Sequence, residues 1–279
     1  MDKTPLSPFG MSVSGLDIKN ISASTLQEMA VLIARSRVVV FRNQTLDDTA
    51  FVQFLKRFGE MTFTAGETPV DGAPDLNVVS NVGRLTPARS VFHTDTSYVK
   101  YPPSFTALRP VVLPTTGGDT LFTDQIKAVT RLSRRVRLFL AGRTVLHQAT
   151  GLEGQSQQTR QPLFRRHPVT GEASLYLSTP KRCSDLSDVD ATTSQRIIDA
   201  LYRHSTRSSA LYRHVWQAGD VLIWDNRVTM HKADHDNLSQ HRILHRGMVI
   251  GEAPLAADDS ALDNIDIPRE LAFSIEQSN

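Results

Sequence analysis

Helical and strand periods alternate through the first sixty residues of the chain. Leu26, Met29, Ala30 and Ile33 recur at helical spacing behind a capping box formed by Ser24 and Gln27. Val38, Val39, Val40 and Phe41 then make an unbroken β-branched and aromatic run, the pattern of a buried strand. Phe51, Phe54, Leu55 and Phe58 form a second helical stripe, with Gly59 as its stop. A third helix is predicted over Gln125–Ala141, capped by Asp124 and ended by Gly142. Its apolar face is Ile126, Val129, Leu132, Val136 and Leu140. A fourth is predicted over Ala191–His204, carrying Ile197, Ile198 and Leu201.

Elsewhere the pattern is short apolar runs broken by Pro, Gly, Asp and Asn. These read as strands at Leu76–Ser80, Ser104–Leu108, Leu175–Ser178, Val221–Trp224 and Arg242–Gly251. Many short strands with a few helices predict a mainly β protein with helical additions, a barrel or jelly roll. Val82–Ser90 and Gly151–Gln161 are expected to be long loops. With no repeat and no linker-like stretch, residues 1–279 read as one domain. Its core is about residues 9–254, and the rest is a C-terminal tail or interface arm.

Composition narrows the class. Apolar residues make up 40% of the chain, enough for one sizeable core, and a formal charge of +2 gives no nucleic-acid footprint. The cluster Arg131, Arg134, Arg135 and Arg137 reads as a solvated helix face. Cys183 is the only cysteine, which rules out an intrachain disulfide and a cysteine-rich zinc site. No stretch approaches the roughly 20 apolar residues of a membrane span, and the start lacks a secretory leader. The expectation is a cytoplasmic protein with a small-molecule partner, no nucleic acid and no membrane; a homo-oligomer is left open.

Candidate chemistry begins at His93-Thr94-Asp95. On a strand, residues two apart share a face, so both side chains can converge on one ion, although a lone triplet of this kind is common by chance. The second half of the chain adds weight. Gly219–Arg227 is an apolar strand entering a turn, closely followed by His231. Two histidines and a carboxylate make the facial triad suited to iron(II), while ligand type alone leaves zinc open. Arg242 and Arg246 lie four apart on a predicted strand and project from one face. Such a pair can hold a carboxylate through forked hydrogen bonds, or can form salt bridges within the barrel.

The motifs FHTDTSY, LPTTGGDTLFTD, WDNRVTMH and HRILHRGMVIGE, with HPVTGEASLYLS between them, closely resemble the family of taurine dioxygenase and 2,4-dichlorophenoxyacetate dioxygenase. The resemblance runs from about Phe9 to Pro254 in consistent order. It implies a double-stranded β-helix, a jelly-roll of the cupin kind. It also implies an iron(II) enzyme that uses 2-oxoglutarate and O2 to oxidise a C–H bond, releasing succinate and CO2. Carried over by position, the metal ligands and catalytic residues are His93, Asp95 and His231. Arg242 and Thr120 hold the distal carboxylate of 2-oxoglutarate, and Arg246 faces either the substrate anion or the cosubstrate. Tyr98 matches an aromatic position near the substrate. Arg89 stands where taurine dioxygenase has a pocket asparagine, and Thr68 and Asp71 replace two of its substrate residues, so taurine is not the expected substrate. Arg89, Arg246, Lys181 and Arg182 would surround the pocket with positive charge, which predicts a small organic anion such as a sulfonate, sulfate ester or carboxylate. The alternatives are a tailoring hydroxylase or desaturase acting on a neutral or zwitterionic compound, and a non-catalytic 2-oxoglutarate-binding relative.

Overall fold

Alternation along Val38–Phe41 organises the architecture. In this computed structural model, which describes residues 1–83, 91–150, 156–234, 240–258 and 261–262, all four side chains are buried. Val39 and Phe41 point to one apolar cluster with Met29, Ile33, Phe51, Phe54 and Leu55 of two helices. Val38 and Val40 point the other way, to Phe122, Tyr212, Leu222 and Trp224. A strand covered on both faces carries a continuous apolar run, which is why no polar position interrupts it.

The protein is mainly β with some helices. Among the described residues its largest sheet has nine strands. The central path runs Met11–Ser14, Val38–Phe41, Val221–Asp225, Pro103–Val112, Ile243–Ile250 and Ala73–Ser80. The helices Ala23–Ser36 and Asp48–Lys56 cover one face of it. Against the other face packs a three-stranded sheet of Leu211–His214, Asp119–Asp124 and Thr229–Asp234. Alternate residues of Ile243–Ile250 divide accordingly. His245 reaches Asp48 on the helical side at 2.7 Å, whereas Leu244 joins the cluster between the sheets. Among the described residues no helix is long and apolar enough to cross a membrane.

A buried ionic knot fixes the turn between Val221–Asp225 and Thr229–Asp234. Asp225 accepts a fork from Arg227, with Nε at 2.8 Å and Nη2 at 2.6 Å, and a third bond from His167 Nε2 at 2.9 Å. Nδ1 of His167 accepts from the backbone of Val169 and Thr170, so the ring proton sits on Nε2 and is donated to Asp225. Burial pushes the Asp225 carboxyl up, but Arg227 and His167 outweigh it and hold the group below the usual carboxylate range.

Several expectations are corrected. The first helix is capped by Ser22, whose hydroxyl accepts from Thr25 N at 3.0 Å, while Ser24 bonds to Ser22 instead of capping. The second helix ends at Lys56, before Gly59. The third is two helices, Gln125–Thr130 and Arg134–Leu140, because Ser133 accepts from Val136 N and starts a new one. Within it Arg137 is not solvated: it is buried and donates to the carbonyls of Leu132 and Leu262. The strand expected over Leu175–Ser178 is Ala173–Leu175; beyond it, Leu177 and Ser178 bond to Thr94 instead. The end of the Gly151–Gln161 loop is strand, Gln158–Pro162, paired with Thr144–Gln148. Nor does the last segment simply trail: Leu255–Ala256 pairs with the strand Phe164–Arg166, and Leu262 is buried. Most of the Val82–Ser90 loop, including Arg89, lies outside the described residues.

Gly251 closes the Ile243–Ile250 strand by donating its N–H to Pro102 O at 3.0 Å. A Cβ there would lie 2.6 Å from that carbonyl oxygen and 2.9 Å from Ser104 N, and backbone cannot step aside as a side-chain tip can. Gly251→Ala is therefore expected to lose about 1–3 kcal/mol of stability, measured as a lower urea midpoint with unchanged slope.

Candidate active site

Two histidines meet through their backbones. His93 and His231 form an isolated antiparallel bridge in which each N–H donates to the other's carbonyl at 3.0 Å. Residues paired this way carry side chains on the same face, and the two rings lie 4.3 Å apart between centroids. Asp95 joins from the same segment as His93. Its oxygens are 3.7 Å from His93 Nε2 and 3.9 Å from His231 Nε2. One ligand atom from each of the three lies within 4.8 Å of the others, so the trio could hold one metal ion. His93 Nδ1 contacts the Val91 carbonyl at 3.1 Å; an acceptor there fixes the proton on Nδ1 and leaves the Nε2 lone pair toward Asp95.

Asp95 is held by groups that its spacing does not reveal. Asn226 Oδ1 accepts from Asp95 N at 3.1 Å, and Asn226 Nδ2 donates to Asp95 O at 3.2 Å and to Pro103 O at 3.1 Å. Thr106 Oγ1 donates to one carboxylate oxygen at 3.1 Å and Arg246 Nη1 to the other at 3.2 Å. Burial pushes the Asp95 carboxyl up; His231, Arg246, His93 and Thr106 more than reverse this and keep it ionised. Asn226 and Thr106 were not anticipated as site residues. Asn226 does sit in the turn that follows an apolar strand, the one local signal that could have marked it.

The two arginines share a face, as their spacing predicts, but their surroundings differ. Arg242 donates through Nε to Gly118 O at 2.7 Å and through Nη2 to Thr120 Oγ1 at 3.2 Å. It is 3% exposed, and among the described residues no carboxylate lies within salt-bridge distance of it. Burial pushes its guanidinium down to about 10, with only Asp119 acting the other way. A buried cation held by neutral acceptors is suited to receiving an anion. Arg246, by contrast, already faces Asp95 at 3.2 Å and Glu67 at 3.9 Å.

That contrast corrects the charge argument for the pocket. Arg246 is balanced by carboxylates, and Arg182 is buried, donating to Thr94 O at 3.1 Å and lying over the Tyr98 ring at 5.1 Å. Lys181 is exposed, and Arg89 lies outside the described residues. Tyr98 is buried under Arg182 yet also lines a cavity of about 320 Å³ with Phe63, Thr64, Thr96, Tyr101 and Ile250. Thr96 follows Asp95 directly, and Thr64 lies 3.5 Å from Arg246 Nη2, so the cavity adjoins the histidine–aspartate cluster.

Two imidazoles and a carboxylate that could hold one metal ion thus share a mainly β scaffold with a buried guanidinium that has no carboxylate partner among the described residues. The family model described as "Taurine catabolism dioxygenase TauD, TfdA family" matches residues 2–248, and the chain belongs to that family. Its members, and this chain with them, are 2-oxoglutarate-dependent dioxygenases. An alpha-ketoglutarate-dependent sulfate ester dioxygenase of Pseudomonas putida is 31% identical, with 89% of each chain covered. The alpha-ketoglutarate-dependent 2,4-dichlorophenoxyacetate dioxygenase of Cupriavidus pinatubonensis is 27% identical over 89% of this chain and 97% of its own. The crystal structure of a taurine dioxygenase from Burkholderia xenovorans superposes with a TM-score of 0.82 at 33% identity, covering 91% of this chain and 92% of that one.

The purified protein is expected to bind one iron(II) per chain and, with 2-oxoglutarate in the absence of oxygen, to develop a weak visible absorption band. His231→Ala should abolish that band and weaken iron binding by more than the 10–100-fold that outer-sphere partners typically cost. Wild-type affinity in the variant, measured by competition with a chelator, would remove His231 from the ligand set.

Proposed function

We propose that the enzyme holds iron(II) through His93, Asp95 and His231, and that it grips the distal carboxylate of 2-oxoglutarate with Arg242 and Thr120. The observation that carries this is the buried Arg242 guanidinium, set beside the cluster with no carboxylate partner among the described residues. Bound iron(II), with 2-oxoglutarate and O2, supplies the oxidant that takes hydrogen from a substrate C–H bond, with succinate and CO2 as coproducts. The chain's own part is orientation and shielding. Arg246 and Thr106 keep Asp95 ionised and aimed, and Asn226 fixes its backbone. Trp224 and Phe122 pack on His231, at centroid distances of 4.5 and 6.1 Å, and keep water from that side. The paired sheets and the taurine dioxygenase likeness support a double-stranded β-helix in a single domain. Cys183, the only cysteine and buried, fits a cytoplasmic setting.

The substrate in this reading is a small organic anion, a sulfate ester, sulfonate or carboxylate, lying in the cavity lined by Tyr98 and Thr64. The relatives that act on sulfate esters and on 2,4-dichlorophenoxyacetate support that class. Glu67, at 3.9 Å, is beyond hydrogen-bond reach of Arg246 Nη2, which a substrate anion could approach from the cavity side. A second reading, a neutral or zwitterionic substrate, is favoured by the carboxylates that already face Arg246.

Arg242→Gln should raise the 2-oxoglutarate requirement roughly a hundredfold while leaving iron binding largely intact, because a charged forked contact is lost. An unchanged requirement would move the cosubstrate anchor elsewhere. Succinate formation across matched pairs, each an acid and its methyl ester or amide, separates the two substrate readings. The anion reading expects turnover of the acids with the neutral partners at background; equal turnover would establish the second reading.

A further inference from the structure

Counting donors around Thr120 exposes a constraint that the cosubstrate site does not explain by itself. Thr120 is buried, and its Oγ1 is approached by two nitrogens: Arg242 Nη2 at 3.2 Å and Trp216 Nε1 at 3.0 Å. Guanidinium and indole N–H groups can only donate. A hydroxyl has two lone pairs and one proton, so both of its acceptor positions are taken. Its proton must go to a third group, and among the described residues no hydrogen bond from Thr120 Oγ1 to an acceptor exists.

Trp216 is seated firmly enough to impose this. Its ring stands edge-on to His214, with centroids 4.5 Å apart and planes at 87°. His214 in turn lies 3.1 Å from Asp220, which Arg42 holds through both carboxylate oxygens. The other tryptophan makes the contrast. Trp224 is fully buried against Phe122 and His231, yet its indole N–H has no hydrogen-bond partner among the described residues. Trp224 serves by packing; Trp216 makes a specific donation.

We propose that Trp216 is a positioning residue for the cosubstrate. By filling the second lone pair of Thr120, it leaves that hydroxyl one orientation, with its proton directed into the space beside the Arg242 guanidinium. A carboxylate placed there meets a donor from Thr120 instead of a lone pair. The proposal rests on the reading that Arg242 and Thr120 receive the distal carboxylate of 2-oxoglutarate. It adds a residue that touches neither cosubstrate nor metal and acts only through the direction of one O–H bond.

The test is a double-mutant cycle on 2-oxoglutarate affinity, read without oxygen from the visible band of the iron(II)-loaded protein. Trp216→Phe keeps an aromatic ring and removes the N–H; it should weaken 2-oxoglutarate about fivefold, the size expected of one neutral hydrogen bond. Iron affinity should not change, and turnover should show the loss in KM with kcat nearly retained. In a Thr120→Val background the same substitution should cost nothing more, whereas in Thr120→Ser it should cost the full amount. Pyruvate, which lacks the distal carboxylate, should bind wild type and Trp216→Phe equally. An undiminished loss in Thr120→Val, an equal loss for pyruvate, or no loss at all would overturn the proposal. Should Trp216→Phe not fold, the intact protein still decides. With zinc(II) bound, the Trp216 indole proton, assigned against Trp224→Phe, should shift when 2-oxoglutarate is added and should lose that response in Thr120→Val. The same response in Thr120→Val would overturn the proposal. If wild type itself binds no 2-oxoglutarate, the reading of the site fails, which is a different outcome from additive losses in a protein that does bind it.

Discussion

The reciprocal backbone bond between His93 and His231 is the constraint on which the site depends. Each residue donates to the other at 3.0 Å, and among the described residues the bridge is isolated, with no neighbouring ladder to repeat the contact. Its consequences spread along both segments. Two residues past His93 the chain delivers Asp95; along the Thr229–Asp234 strand, His231 lies opposite Phe122 of Asp119–Asp124, the strand that also carries Thr120. A slip of one residue in that pairing would turn His231 away from Asp95 and toward the opposite face. The Asp225–Arg227–His167 knot sits at the turn where such a slip would start, and its buried charges have few alternative partners.

Electrostatics then divide the work between two arginines that sequence spacing treats alike. Both leave the inner face of Ile243–Ile250 and its approach. Arg246 spends its charge on Asp95 and so offsets the cost of burying that carboxylate. Among the described residues Arg242 has only the Gly118 carbonyl and the Thr120 hydroxyl as acceptors, so its desolvation is incompletely offset by them. Stability alone would favour a carboxylate beside Arg242. A carboxylate arriving from solution could offset the burial cost that the described residues leave uncompensated.

Much of this was legible in the sequence where the cause is local. The strand at Val38–Phe41, the helix from Ala191 and the shared face of Arg242 and Arg246 follow from periodicity, which reads one element at a time. The His93, Asp95 and His231 grouping needed more: spacing offered the first two, the strand Gly219–Arg227 leading to His231 suggested the third, and the family resemblance tied the three together. What stayed hidden were polar groups whose partners lie far along the chain. Arg137 reads as part of a solvated helix face and Arg182 as a pocket cation, yet both are buried against carbonyls contributed by Leu132, Leu262 and Thr94. Periodicity does not betray the roles of Asn226, Thr106 and Trp216, because hydrogen bonds to residues distant in sequence define them.

The same division explains why the reaction class is easier to read than the substrate. Groups proposed for metal and cosubstrate come from paired strands and their bridges, where register fixes direction to within a hydrogen bond. The adjoining cavity is walled mainly by strand ends and connecting segments, at residues 62–65, 96, 98–101 and 157. Those positions carry few of the bonds that hold Asp95 or Arg242, so they can change without unseating either. Relatives that share this scaffold are named for a sulfate ester, a dichlorophenoxyacetate and taurine, molecules with an acidic end in common and bodies of quite different size. An acidic end can be met by one fixed cation, whereas a varied body needs walls that vary. Phe63, Tyr98 and Tyr101 are among the side chains that line the cavity, and Thr64 beside them lies 3.5 Å from Arg246 Nη2.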